Sequence, residues 1–285
     1  MEKIAIVTDS TCGVPEEFVK EYNIKVLRLK IIYKDKEYLD GLDITPKEVY
    51  ERMDEEMPTT STPSVQQSNE IIEELIEEGY THVIGLFISS GLSGTMNSFR
   101  IAVENYEDKI KSYVFDTKMI SMAVGWCVMD AARLVKAGKN FDYICNEIPG
   151  MKERITLCFS VDTLEYLIKG GRIGKVAGTI GQILNLKPII NMDEEGKYTT
   201  CAKARGSKQA LNKMIAIGEE ALNKGKSRVV VMTGTMDEEL VKLKEVFEKN
   251  PNVTEVTTGA FTPVIGVHSG PRIIALGVME EKEYN

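Results

Sequence analysis

The chain has one tryptophan, two histidines and five cysteines in 285 residues. With only His82 and His268, a histidine-rich metal site cannot be built, and no metal is expected. Cys12, Cys127, Cys145, Cys158 and Cys201 are scattered, and none stands in a C-x-x-C pair. Such an odd, unpatterned set fits buried or free thiols in a reducing cytoplasm, the expected location. No apolar run approaches the roughly 20 residues of a membrane-spanning helix, so no stable membrane insertion is expected. The first apolar residues give way to Thr8-Asp9-Ser10 too soon for a signal peptide and read as a strand. A net charge of −8 with no long basic run argues against nucleic acid as a partner, because phosphate binding needs a basic surface. It argues less strongly against docking on anionic membranes. Both common nucleotide loops are missing. Gly174-Lys175 is followed by Val176, and Lys169 stands where a P-loop needs its first glycine. There is no G-x-G-x-x-G.

What is present is ordinary in bulk, with 43% apolar and 27% charged residues. This length supports a sizeable core and about two packed units. In the first half, strand and helix signals alternate. Strands are predicted over 3–7, 26–33, 83–88 and 112–115. Helices are predicted from Pro15 to Tyr22, from Thr45-Pro46 to Asp54, and over 65–78, 94–106 and 119–137. Ser64 and Gln67 form a capping box, and Pro58 and Pro63 keep the stretch between them from being helical. Six apolar residues in a row at 83–88 suit a strand buried on both faces. This alternation predicts a parallel sheet with helices on both faces over residues 1–155.

From 156 to 285 the pattern changes. Strand 156–161 precedes a helical segment and Gly170-Gly171-Arg172, and a helix is predicted over 173–185. Two strands, 187–191 and 197–204, flank the turn Asp193-Glu194-Glu195-Gly196 as a hairpin. Helices over 207–223 and 237–249 and strands over 228–233, 253–259 and 272–278 complete a mixed α+β second domain. The fold class is therefore α/β in two domains. No low-complexity linker separates them, and a ligand cleft between them is the expectation. No internal repeat stands out.

The most informative segment is Ser89-Ser90-Gly91-Leu92-Ser93-Gly94-Thr95, where a buried strand meets a helix. The first amides of a helix lack intrahelical partners and carry the positive end of its dipole. This loop adds four hydroxyls and no charge, as a site that holds a carboxylate with neutral donors would. Three other clusters stand out. They are Thr59-Thr60-Ser61-Thr62, Gly170-Gly171-Arg172 with Arg205, and Gly266 to Arg272 around His268. Each has a plain structural reading: helix caps for Thr60 and Ser93, a surface charge for Arg172, a loop histidine for His268. The segment Gly91-Leu92-Ser93-Gly94-Thr95 also comes within one glycine of the G-x-S-x-G hydrolase elbow. A serine-dependent acyl hydrolase using Ser93 and His268 is therefore an alternative, although no acidic partner for His268 can be named.

Seven segments in order strengthen one reading. Thr8-Asp9-Ser10, Thr59 to Ser64, Ser89 to Thr95, Phe115-Asp116-Thr117, Gly170 to Ile173, Lys187 to Ile190 and His268 to Pro271 together resemble the DegV family of bacterial fatty-acid-binding proteins, from about residue 3 to 280. The resemblance implies two domains that bury one long-chain fatty acid between them. It implies no catalysis by this chain and no cofactor. It also implies a separate ATP-binding fatty acid kinase that phosphorylates the carboxylate and so feeds phospholipid synthesis. By position, Thr60 and Ser93 would bind the carboxylate, with Ser61, Gly94 and His268 supporting the head group. Arg172 and Arg205 would face the phosphoryl group or the partner. Departures from the family pattern are Thr62 for glutamine, Gly206 for threonine, and Arg272 for the second glycine of G-P-G. A binder of some other amphiphilic carboxylate is a further alternative.

Overall fold

The computed structural model describes residues 2–179 and 186–284. They form two compact units, one from Met1–Thr45 and Pro58–Glu153, the other from Pro46–Met57 and Arg154–Asn285. The sequence places residues 46–57 with the first half; in the structure they belong with the second unit.

The first unit begins with β1 (Ile4–Asp9), α1 (Glu16–Glu21), β2 (Lys25–Leu27), β3 (Lys30–Ile32) and β4 (Glu37–Leu39). The chain then lends α2 (Pro46–Arg52) to the second unit. It resumes with β5 (Thr59–Ser61), α3 (Val65–Glu77), β6 (His82–Phe87), α4 (Thr95–Glu104), β7 (Lys111–Asp116), α5 (Met122–Lys136) and α6 (Phe141–Glu153). Strands β2-β1-β6-β7 make a parallel sheet, in that order. Ala5, Val7, Val83 and Phe87 alternate onto one face, where they pack with Ile72 and Leu75 of α3 and Phe99 and Ala102 of α4. The intervening Ile4, Ile6, Ile84 and Leu86 are also buried. They complete the unbroken apolar runs that a sheet covered on both faces requires. The Ser64–Gln67 capping box forms as the sequence predicts, with Gln67 N donating to Ser64 Oγ at 3.2 Å and Ser64 N to Gln67 Oε1 at 2.9 Å.

Two differences from the sequence prediction have clear causes. The strand predicted over 26–33 is two strands in two sheets. Leu29 N donates to Ser10 Oγ at 3.1 Å, so the chain leaves the parallel sheet there. It then enters a small antiparallel sheet of order β4-β3-β5. Helix α6 has no counterpart among the predicted elements because Pro149, inside it, reads as a breaker.

The second unit continues with β8 (Ile155–Val161), α7 (Glu165–Lys169), β9 (Leu186–Met192), β10 (Tyr198–Arg205), α8 (Ser207–Leu222), β11 (Ser227–Thr233), α9 (Asp237–Glu248), β12 (Val253–Ala260), α10 (Pro263–Ser269) and β13 (Ile273–Glu280). Its six strands run β10-β9-β8-β13-β11-β12. Only β11 and β12 are parallel, so the sheet is mixed, and β9 with β10 forms the antiparallel hairpin that the sequence predicts. Met214 of α8 and Leu243 and Phe247 of α9 bury against Val229, Val231 and Leu276. The helix predicted over 173–185 is a 3-10 turn, Gly174–Thr179; residues 180–185 lie outside the described residues. Among the described residues, no helix is long and apolar enough to cross a membrane. All five cysteines are free thiols.

Candidate functional site

The chain leaves β1 and turns to β2 on one side, while the next strand to join, β6, lies on the other. The carboxyl ends of β1 and β6 therefore flank a topological switch point, where open α/β sheets bind ligands. The residues there are polar although the strands are not. Asp9 ends β1 fully buried. It accepts from Thr11 N at 2.9 Å, from Thr11 Oγ1 at 2.5 Å and, across the switch point, from Ile88 N at 2.8 Å. Burial pushes its carboxyl above the usual range, and these three donors oppose the shift.

Beyond Ile88 the chain coils tightly. Leu92 N and Ser93 N both donate to Ser89 O at 3.0 Å, and Gly91 N donates to Ser89 Oγ at 3.1 Å. Ser93 Oγ lies 2.9 Å from Thr95 Oγ1, and Thr95 N donates to Ser93 Oγ at 3.4 Å. Apart from that long contact to Thr95 N, no side chain caps α4 at Gly94, so the next amides of the first turn keep their capacity to donate to a ligand. The loop after β7 is stitched to this one. Ser90 donates twice to Asp116, from its amide at 3.1 Å and from its hydroxyl at 2.5 Å. Asp116 also accepts from Lys118 N at 2.9 Å. Thr117 Oγ1 donates to Phe87 O at 2.7 Å, and Ser89 N to Met119 O at 2.9 Å.

Thr60 and Ser61 lie on β5, held by antiparallel pairing to β3 with Thr60 opposite Ile31. Both are half-buried, as is Ser93. A Cβ on Gly94 would lie 3.8 Å from Thr62 Cγ2. The Thr60 segment and the Ser93 loop are thus neighbours within the first unit, as expected if both serve one ligand.

His268, Arg172 and Arg205 belong to the second unit. His268 is on α10, not in a loop. The helix is short, with Gly266 inside it and Gly270 at its C-terminal end, and these glycines hid it in the sequence. Arg172 Nη1 donates to Gly170 O at 2.6 Å. Burial, helped by the Arg172 charge, lowers the imidazole pKa to about 4, so His268 is neutral at pH 7. A Cβ on Gly170 would collide with His268 Nδ1. Gly170→Ala is accordingly expected to push the ring aside and destabilise the second unit by about 1–3 kcal/mol. An NMR titration should show its pKa rising toward 6.5, and an unmoved midpoint would refute the packing account.

Arg205 ends β10, and Tyr198, on which the Arg172 charge acts, begins it. Two of the three departures from the family pattern, Gly206 and Arg272, have local explanations. Gly206 has φ 77°, a left-handed conformation in which threonine would be strained. Arg272 Nε lies 3.5 Å from Asp162 Oδ2, and Lys187 binds the other oxygen at 2.5 Å. Those cations hold the Asp162 carboxyl below its ordinary range, the Lys187 hydrogen bond contributing most against the opposing effect of burial. Sequence reasoning gave no role to Asp9 or Asp116. The available signal was an acid at the carboxyl end of an apolar strand. Among the described residues, no group of three or more His, Cys, Asp or Glu could hold a metal.

An open parallel sheet with a hydroxyl-rich loop, Ser89–Thr95, beyond the carboxyl end of β6, together with a mixed-sheet unit, defines a two-unit α/β protein. The chain belongs to the DegV family: the family model, described as "Uncharacterised protein, DegV family", matches residues 3–281. A DegV domain-containing protein of Clostridium acetobutylicum is 47% identical over 281 residues, covering 99% of this chain and 100% of the relative. A DegV family protein of Thermus thermophilus, reported for fatty acid binding, has a TM-score of 0.92 at 29% identity, covering 98% of this chain and 100% of that one. DegV of Bacillus subtilis, a fatty acid binding protein, has a TM-score of 0.90 at 31% identity, covering 99% of this chain and 100% of that one.

Proposed function

We propose that this protein binds one long-chain fatty acid, performs no chemistry on it, and presents its carboxylate to a separate ATP-dependent kinase for conversion to acyl phosphate. The observation that carries the binding step is the end-to-end likeness to proteins reported to bind fatty acids. The chemistry of the Ser89–Thr95 loop supports it. Each buried methylene contributes about 0.8 kcal/mol, so a tail with about fifteen buried contributes on the order of 12 kcal/mol before ordering costs. The head group then needs only partners for its charge, and hydroxyls with helix amides suffice. Thr60 and Ser93 are the proposed carboxylate donors, with Ser61, Gly94 and His268 in support. Donors without formal charge leave the carboxylate nucleophilic toward a phosphoryl group, which a paired lysine would oppose. Arg172 and Arg205 are proposed to serve the phosphoryl group or the kinase. The proposed setting is the cytoplasm, where the acyl phosphate would enter phospholipid synthesis.

Mass spectrometry of lipid extracted from the purified protein is expected to find a long-chain fatty acid at about one per chain. Incubation with ATP and a fatty acid kinase subunit is then expected to yield the acyl phosphate. Absence of any fatty acid, together with no uptake of an added one, would overturn the binding step. Binding without phosphorylation would overturn the kinase step alone.

A further inference from the structure

We infer that Asp116 is the positioning residue of the carboxylate site, the group that sets the Ser89–Thr95 loop in its ligand-ready form. This rests on the fatty acid reading above. Asp116 touches neither Thr60 nor Ser93 in any contact described above; it acts through Ser90. Two of its three bonds, both from Ser90, join loops that follow neighbouring strands, and the third comes from Lys118 on its own loop. Ser90 lies one residue from Ser89, whose carbonyl receives both Leu92 N and Ser93 N. Fixing Ser90 therefore fixes the turn that aims the Ser93 hydroxyl and starts α4.

The other end of the loop is held independently, because Asp9 takes Ile88 N. Asp9 anchors where the loop leaves β6, and Asp116 anchors its crest. The Asp116 loop is itself kept in an uncommon shape. Lys118 has φ 51° and Ser121 φ 57°, conformations that persist only where surroundings enforce them. The bond from Lys118 N to Asp116 and the bond from Ser89 N to Met119 O supply that enforcement. An acid is suited to this job because one carboxylate oxygen can take the Ser90 and Lys118 amides while the other takes the Ser90 hydroxyl. Asparagine keeps the first oxygen and can still meet the hydroxyl through its amide group, whereas alanine keeps nothing.

The test compares Asp116→Ala and Asp116→Asn with the wild-type chain, using palmitate as the probe and amide hydrogen exchange of the ligand-free proteins. Asp116→Ala is expected to bind palmitate about tenfold more weakly. Its exchange should quicken at residues 89–95 and 117–119 but not in β1, α3 or α5. Asp116→Asn is expected to return binding to within about threefold of wild type. Wild-type affinity in Asp116→Ala would overturn the inference, as would quickened exchange across the whole first unit or an asparagine variant as weak as alanine. If the wild-type chain carries no fatty acid on purification and takes no palmitate, the fatty acid reading fails. The exchange data, which need no ligand, then decide the loop-setting role: loop-confined quickening in the alanine variant upholds it and its absence overturns it.

Discussion

Replacing Ser93 by alanine is expected to weaken fatty acid binding by about ten- to a hundredfold, the value of one hydrogen bond to a charged group. The effect should be large because the loop has few ways to compensate. It contributes hydroxyls and backbone amides but no cation, and the neighbouring hydroxyl of Thr95 is already 2.9 Å from Ser93 Oγ. Removing Ser93 Oγ also takes a partner from Thr95, which is fully buried. A fatty alcohol of the same length separates these contributions, since its head group carries no charge. Ser93→Ala should cost the acid far more than the alcohol in a competition assay against a fluorescent fatty acid. Equal losses for both would show that the substitution damages the pocket rather than the head-group bond, and unchanged affinity for the acid would remove Ser93 from the site. The same variant bears on the hydrolase alternative. Ser93 neighbours a threonine hydroxyl, and His268, with a pKa of about 4, is a weak base. The wild-type chain is therefore expected to resist a fluorophosphonate probe, and labelling that Ser93→Ala abolishes would restore the hydrolase reading.

The parts of this fold legible in the sequence are those set by local chemistry. The apolar run at 83–88 reads as a strand buried on both faces, and all but its last residue lies in β6. Ser64 with Gln67, and the Asp193–Gly196 turn closed by Gly196 N to Asp193 O at 3.0 Å, are written within a few residues. What escaped is set by distant partners or by residues that argue both ways. Nothing within 26–33 says that the chain changes sheets at Leu29, because the deciding bond comes from Ser10. Pro149 disguises α6, and Gly266 with Gly270 disguises α10. The site divides in the same way. Ser93 and Thr60 could be picked out as hydroxyls beside a helix start. Asp116 and Asp9 could not be given roles, because their partners Ser90 and Ile88 lie 26 and 79 residues away. Local spacing does identify groups suited to a ligand, but it is silent on what holds those groups in place.

Acidification from pH 7 to pH 4 is expected to cost the second unit about 3 kcal/mol through His268 alone. The folded pKa of about 4 lies below the ordinary value of 6.5. As pH falls through 6.5 the unfolded chain takes a proton on this ring while the folded chain does not. The stability associated with the neutral ring is complete above pH 6.5 and is lost as the pH falls toward 4. Below pH 4 both states are protonated and the dependence ends. Other groups titrate over part of this range. Asp162, lowered chiefly by its bond to Lys187, loses stability at still lower pH, and Asp9, raised by burial, works in the opposite sense. Both remain in a His268→Gln variant, so the difference between the two proteins isolates the histidine. Urea unfolding followed by circular dichroism should show the wild type losing ground to the variant between pH 6.5 and 4, and parallel curves would refute the assignment. The same ring tests the proposed head-group role. A carboxylate held beside it would offset the Arg172 charge and favour the imidazolium. Palmitate should therefore raise the titration midpoint of His268, and a midpoint indifferent to palmitate in a chain that binds it would exclude His268 from the head group.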